Sequence, residues 1–149
     1  VTFAPYVNSY RRLTQAASAP VNNKWGYDNR TTAFRVPRSD PSARRVENRI
    51  PSSDANPYLA LAASLACGLI GMRKKLTPEA PVLTTANEDE IDLPRGLLEA
   101  VDLFESDEGL HEVLGKQFCT TYAAIKRAEF ETFMEVISPW EREFLLLNV

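Results

Sequence analysis

The chain has 149 residues, 44% of them hydrophobic and 25% charged, with a formal net charge of −3. That length suits one domain with a sizeable core, and the mixture is ordinary for a globular protein. The acidic balance excludes a general nucleic-acid binder, and no stretch reaches the ~20 apolar residues that a membrane span needs. The sign is uneven along the chain. Residues 1–49 hold nine Lys/Arg against three acids, a net of +6; the remainder holds eight against seventeen, a net of −9. Anions are therefore expected on the N-terminal third. The opening Val-Thr-Phe-Ala-Pro-Tyr lacks signal-peptide character, and the chain reads as a piece of a longer, cytoplasmic protein.

Residues 1–13 predict a short helix after Pro5, with Tyr6, Val7, Tyr10 and Leu13 on one face and Arg11 and Arg12 near its C-terminal end. Residues 14–28 read as loop. Two alternating runs, 29–37 and 44–50, flank the turn formers of 38–43 and predict an antiparallel hairpin. Asn56-Pro57 is a helix start, because Asn caps free amides and Pro is tolerated at the first helical position. That helix runs to about Lys75; its small residues predict a central, buried position. Residues 77–92 read as an exposed, mobile connector.

Pro94 opens a second helix with Leu97, Leu98, Val101 and Phe104 at helical spacing. A short helix over 107–114 is ended by Gly115, and a longer one reaches about Ile137. Ser138-Pro139-Trp140-Glu141 is a capping box for a final helix. The ending Phe144-Leu-Leu-Leu-Asn-Val is too apolar for a free tail and should dock on the core or on another subunit. The expected fold is α+β: short antiparallel strands, a hairpin, packed against about five helices.

Cys67 and Cys119 lie in apolar helical patterns without metal or redox spacing, and read as buried free thiols. His111, on a polar stretch, reads as a surface residue. As the single histidine, it excludes a Ser/His/Asp triad or a multi-His metal site built from this chain alone.

The chemistry concentrates in the hairpin. Side chains alternate along a strand, so Arg45, Glu47 and Arg49 share one face and Arg44, Val46, Asn48 and Ile50 the other. In the first run Thr32, Phe34 and Val36 form a core face, with Ala33 and Arg35 opposite. Guanidinium groups around one carboxylate suit a metal-bound polyphosphate. All six cations here (30, 35, 38, 44, 45, 49) are Arg, whose rigid fork matches phosphate and carboxylate oxygens bidentately. A nucleic-acid surface is excluded by overall sign and by the absence of any such motif. A solvated charged face and a phosphoryl-transfer site both remain consistent with the residues alone.

Asn29-Arg30-Thr, Arg35-Val-Pro37, Ala43-Arg44-Arg45-Val-Glu47-x-Arg49 and Asp54-Ala-Asn-Pro-Tyr58-Leu, in this order, resemble the C-terminal half of the catalytic domain of the glutamine synthetase superfamily. Asn8-Ser-Tyr-Arg-Arg12-Leu resembles its glutamate-contacting stretch. The runs around Trp25-Gly-Tyr-Asp-Asn-Arg30 and Ser138-Pro-Trp-Glu-Arg-Glu look closest to the γ-glutamylputrescine (polyamine) synthetase branch. The resemblance implies that residues 1–149 are the C-terminal part of a catalytic domain. The N-terminal β-grasp domain and the first half of the catalytic domain lie outside it. It also implies an ATP- and Mg²⁺- (or Mn²⁺-) dependent ligase joining the glutamate γ-carboxylate to an amine or ammonia through a γ-glutamyl phosphate. A homo-oligomeric ring is implied as well, with active sites between subunits. Residue by residue, Glu47 becomes a metal ligand and Arg30 the catalytic stabiliser of the phosphoryl group. Arg35 and Arg45 contact ATP phosphates with it, and Arg12 and Arg49 hold the glutamate carboxylates.

Two positions depart from the family pattern. Ser18 stands where ammonia-using members carry a flap glutamate, which favours a bulkier amine; ammonia-using glutamine synthetase is the alternative. Ser42 stands where many members have a nucleotide-contacting Lys, with Arg38 and Arg44 as nearby cations. One carboxylate cannot hold a cluster of divalent ions, so the fragment alone is expected to be inactive. A non-catalytic assembly module or remnant is the rival of a different class.

Overall fold

The computed structural model describes residues 1–14, 19–86 and 90–148; Ser18, the flap departure, lies outside the described residues. A three-stranded sheet, β1 (Trp25–Tyr27), β2 (Phe34–Val36) and β3 (Glu47–Asn48), stands in that order. β2 and β3 form the expected antiparallel pair, with Phe34 opposite Asn48 and Arg35 opposite Glu47. β1, which runs parallel to β2, falls in the stretch read as loop. Three residues between turn formers carry too little alternation to register, although Trp and Tyr favour strands. β2 starts only at Phe34, so Ala33 does not share Arg35's outward side and is fully buried.

The helices are α1 (Pro57–Arg73), α2 (Leu97–Ser106), α3 (Glu108–Leu110, continuing through a π-helical turn to Gly115), α4 (Lys116–Met134) and α5 (Pro139–Phe144). The Asn56 side chain caps α1, accepting from the Tyr58 and Leu59 amides at 3.0 and 3.3 Å. Ser138 and Glu141 cap α5 reciprocally, as expected. The 107–115 helix ends at Gly115, whose φ of +90° favours glycine.

Residues 7–12 form a 3-10 helix that lies on the α2–α4 pair. The core joins its Tyr10 and Leu13 to Leu97, Ala100 and Val101 of α2 and Ala123 of α4. The Phe104 ring meets those of Phe118 and Tyr122 edge-on. Fully burying a Val or Phe side chain stabilises by about 1.5–3 kcal/mol. An exposed ion pair of the kind Arg127 makes with Asp102 and Glu105 adds at most about 1 kcal/mol. Apolar burial, not surface charge, therefore fixes α2 on α4.

α1 is not the buried central helix its sequence suggested. Ala63 and Ala66 are buried against the α3 side, while Tyr58, Leu61, Leu65 and Met72 are 64–82% exposed. A helix apolar all round needs cover on two faces, and the described residues cover one. Cys67 lies on the open side and is exposed; only Cys119 is buried as expected. The C-terminal segment likewise leaves the core: Trp140 is 59% and Leu147 97% exposed. His111 departs from its surface reading, being half-buried, with Nε2 shielded and without a hydrogen-bond partner among the described residues. Among the described residues no helix is long and apolar enough to cross a membrane.

The connector after α1 is exposed along most of its length, yet it is stitched to the sheet as a strap. Val82 N donates to Trp25 O at 2.9 Å, Trp25 Nε1 to Glu79 O at 2.7 Å, and Asn22 Nδ2 to Ala86 O at 2.8 Å.

Candidate active site

Strand pairing decides which arginines meet the carboxylate. Arg35 faces Glu47 across β2–β3, and Arg49 follows Glu47 by two residues, so all three side chains leave the sheet on one side. Arg35 Nη1 donates to Glu47 Oε2 at 3.0 Å, and Arg49 Nη1 to Glu47 Oε1 at 2.9 Å. Both guanidinium side chains are only 18% exposed. The hydrogen bonds from Arg49 and Arg35 hold the Glu47 carboxyl below the usual carboxylate range. Arg35 Nη2 also reaches Asp28 Oδ1 at 3.3 Å, and Asp28 takes the Arg38 amide at 3.2 Å. Arg35 Nε is buried without a partner among the described residues, a donor that an anion would satisfy.

Arg12 arrives from the 3-10 helix. Its Nη2 donates to the Arg49 carbonyl at 2.7 Å and its Nη1 to that of Ile50 at 2.8 Å. Burial and the Arg49 charge lower its pKa, opposed by Asp54. The same helix is tied down by Ser9 Oγ, which donates to Asp54 Oδ2 at 2.9 Å; Ser52 Oγ donates to the other oxygen. Hydrogen bonds from Ser52 and Ser9 hold Asp54 below the ordinary carboxyl range.

Arg45 does not join this cluster. It precedes β3, where no partner strand enforces alternation, and its exposed guanidinium turns back to the Ala43 carbonyl at 3.2 Å. Ser42, Arg38 and Arg44 are also exposed around the turn. Arg30 is exposed in the β1–β2 connection and has no hydrogen-bond or ion-pair partner among the described residues. Asp28, a partner of Arg35 and Arg38, was not singled out by the sequence pattern. Its signal was a small acid at a turn, which tolerates its φ of 49°.

Two cavities, of about 190 and 300 Å³, are lined by residues such as Leu59 and Phe118, and Tyr6 and Phe133. Neither is lined by Arg35, Glu47 or Arg49.

The "glutamine synthetase, catalytic domain" family pattern matches residues 1–145. The chain belongs to the glutamine synthetase catalytic-domain family. It is 41% identical over 146 residues to glutamine synthetase of Methanocaldococcus jannaschii, covering 92% of this chain and 32% of the relative. It is 40% identical over 143 residues to a glutamate–isopropylamine ligase of a Pseudomonas species (93% and 31%). To γ-glutamylputrescine synthetase PuuA of Escherichia coli it is 38% identical over 146 residues (97% and 31%). Among solved structures, ligand-free GmaS superposes with a TM-score of 0.82 at 36% identity, over 97% of this chain and 34% of that one. A GmaS–ADP complex gives 0.83 at 35%, over 97% and 35%. The chain spans about a third of the length of the curated relatives it matches.

Glutamine synthetase chemistry calls for polyphosphate and divalent metal, and this fragment fits them unequally. The arginine wall fits an anion. The metal does not fit these residues alone: among the described residues no three His, Cys, Asp or Glu side chains cluster as ligands. Both oxygens of Glu47 already accept a guanidinium hydrogen bond, and a single carboxylate falls well short of the six or more oxygen ligands that such ions take.

Proposed function

We propose that this chain is the C-terminal part of the catalytic domain of an ATP-dependent glutamate–amine ligase, working through a γ-glutamyl phosphate. A carboxylate is a poor electrophile; transfer of the ATP γ-phosphoryl group to its γ-oxygen creates a leaving group, and the amine nitrogen then displaces phosphate. The observation that carries this reading is Glu47 clasped between Arg35 and Arg49, with Arg12 fixed behind Arg49.

In this reading Arg35 and Arg45 bind ATP phosphates, and Arg30 meets charge developing on the phosphoryl group in flight. Arg49 and Arg12 orient the glutamate carboxylates, which a guanidinium fork matches bidentately. Glu47 contributes one oxygen ligand to Mg²⁺ or Mn²⁺, completed by groups outside these residues. The fragment alone has no ligase activity; micromolar Mg-ATP binding to residues 1–149 in calorimetry would contradict this.

For the acceptor we favour an amine larger than ammonia, because Ser18 cannot supply the charge that helps deprotonate ammonium. Relatives named for isopropylamine and putrescine stand beside glutamine synthetases at near-equal identity, so ammonia is the second reading. Phosphate release by the full-length protein with glutamate, ATP and each of putrescine, isopropylamine and ammonia tests both. Turnover with ammonia alone would refute the amine reading; none with any acceptor would favour a non-catalytic module.

A further inference from the structure

Asn29 holds two parts of the molecule at once. Its Nδ2 donates to the strap carbonyls of Thr84 at 2.7 Å and Val82 at 3.3 Å. Its Oδ1 accepts from the Thr31 amide at 2.9 Å and the Thr31 hydroxyl at 2.7 Å. Its own carbonyl accepts from Thr32 Oγ1 at 2.9 Å. Arg30 lies inside these closures, so its backbone is bracketed from both sides. Thr31 Oγ1 in turn accepts from Ala86 N at 2.8 Å. Alternate residues of the strap thus hold either side of Arg30, Val82 and Thr84 through Asn29 and Ala86 through Thr31.

Contact is close. A Cβ at Gly26 would lie 2.8 Å from the Val82 carbonyl oxygen and 3.1 Å from Asn29 Cβ. The Arg30 guanidinium is exposed and without a partner among the described residues. The one restraint the described residues place on it is therefore its backbone, which fixes where the side chain leaves the chain, and that backbone is set by Asn29.

We propose that Asn29 is a positioning residue that ties the aim of Arg30 to the 79–86 strap, making the strap a support of phosphoryl transfer although it bears no reacting group. This rests on the reading of Arg30 above. A side-chain amide is required: a carboxylate could accept from Thr31 but would set a charge against two carbonyl oxygens.

The test uses the full-length ligase and compares Asn29→Asp, Gly26→Ala, Arg30→Ala and the double variant Asn29→Asp/Arg30→Ala. Misplacing a reacting group by about 1 Å costs up to ~100-fold. Asn29→Asp is accordingly expected to lower kcat at least about tenfold, with the KM for Mg-ATP within about twofold. Because Asn29 acts through Arg30, the double variant should match Arg30→Ala within about twofold. A double variant slower than Arg30→Ala by the whole Asn29→Asp factor, or Asn29→Asp with wild-type kcat, would overturn the inference. Arg30→Ala with wild-type kcat would overturn the reading of Arg30, and the inference with it. Should Asn29→Asp fail to fold, Gly26→Ala, which presses on Val82, should lower kcat in the wild-type background but not in Arg30→Ala; equal loss in both would count against the proposal.

Discussion

Arg12 grips the backbone of Arg49: its Nη2 lies 2.7 Å from the Arg49 carbonyl oxygen, and its Nη1 2.8 Å from that of Ile50. Two arginines far apart in sequence are thereby set as one unit, the first fixing the strand from which the second projects. Arg12→Ala removes two charge-assisted bonds, each of a kind worth about 1.5–3 kcal/mol. With the site half-open, the expected loss is about 2 kcal/mol in all, accompanied by a higher KM for glutamate. Arg12→Lys should recover only part, since an ammonium lacks the fork that spans both carbonyls. Denaturant unfolding and steady-state kinetics of the full-length protein check both.

Glu47 has its folded pKa depressed by the Arg49 and Arg35 hydrogen bonds. Its contribution to stability is therefore complete above the ordinary value of 4.5 and is lost as pH falls through the lower folded value. The melting-temperature gap between wild type and Glu47→Gln should be constant from about pH 7 to about pH 5 and close at lower pH. With the carboxylate partly exposed, salt should narrow it too. A gap that widens toward acid would mean that the carboxylate is not stabilised by its arginines.

Gly115 separates the π-helical turn from α4 at φ +90° and ψ +130°, with open space around a substituted Cβ. Gly115→Ala should therefore cost conformational strain and no clash, about 1–3 kcal/mol. Thermal melting of the full-length variant measures it; an unchanged midpoint would show that the turn relaxes freely.

Lys126 is buried in α4, its Nζ 2.7 Å from Glu129 and 4.6 Å from the centre of the Tyr6 ring at the start of the 3-10 helix. It thus pins the helix that carries Arg12. Lys126→Met and Tyr6→Leu should be coupled by about 0.5–1 kcal/mol in a double-mutant cycle on stability. Strict additivity would reduce the contact to coincidence of packing.

Local rules were sufficient for features with a local cause. The Asn56 and Ser138 caps and the break at Gly115 each follow from residues within a few positions of one another, and the antiparallel pairing of β2 with β3 follows from two alternating runs joined by a single turn-forming stretch. Alternation on β3 brought Glu47 and Arg49 to one side because a partner strand enforces it there, and it failed for Arg45, where none does. The motifs 29–58 carried the family, since their order and spacing survive without knowledge of the fold. Tertiary structure alone decided the rest. The hold of Arg12 on Arg49 and the seating of the strap on Asn29 join distant segments, and the parallel pairing of Trp25–Tyr27 with Phe34–Val36 joins runs too short to show alternation; no periodicity records such partners. The exposed face of α1 has the same origin: composition states that a helix wants burial, whereas only the packed chain determines which of its sides receives it.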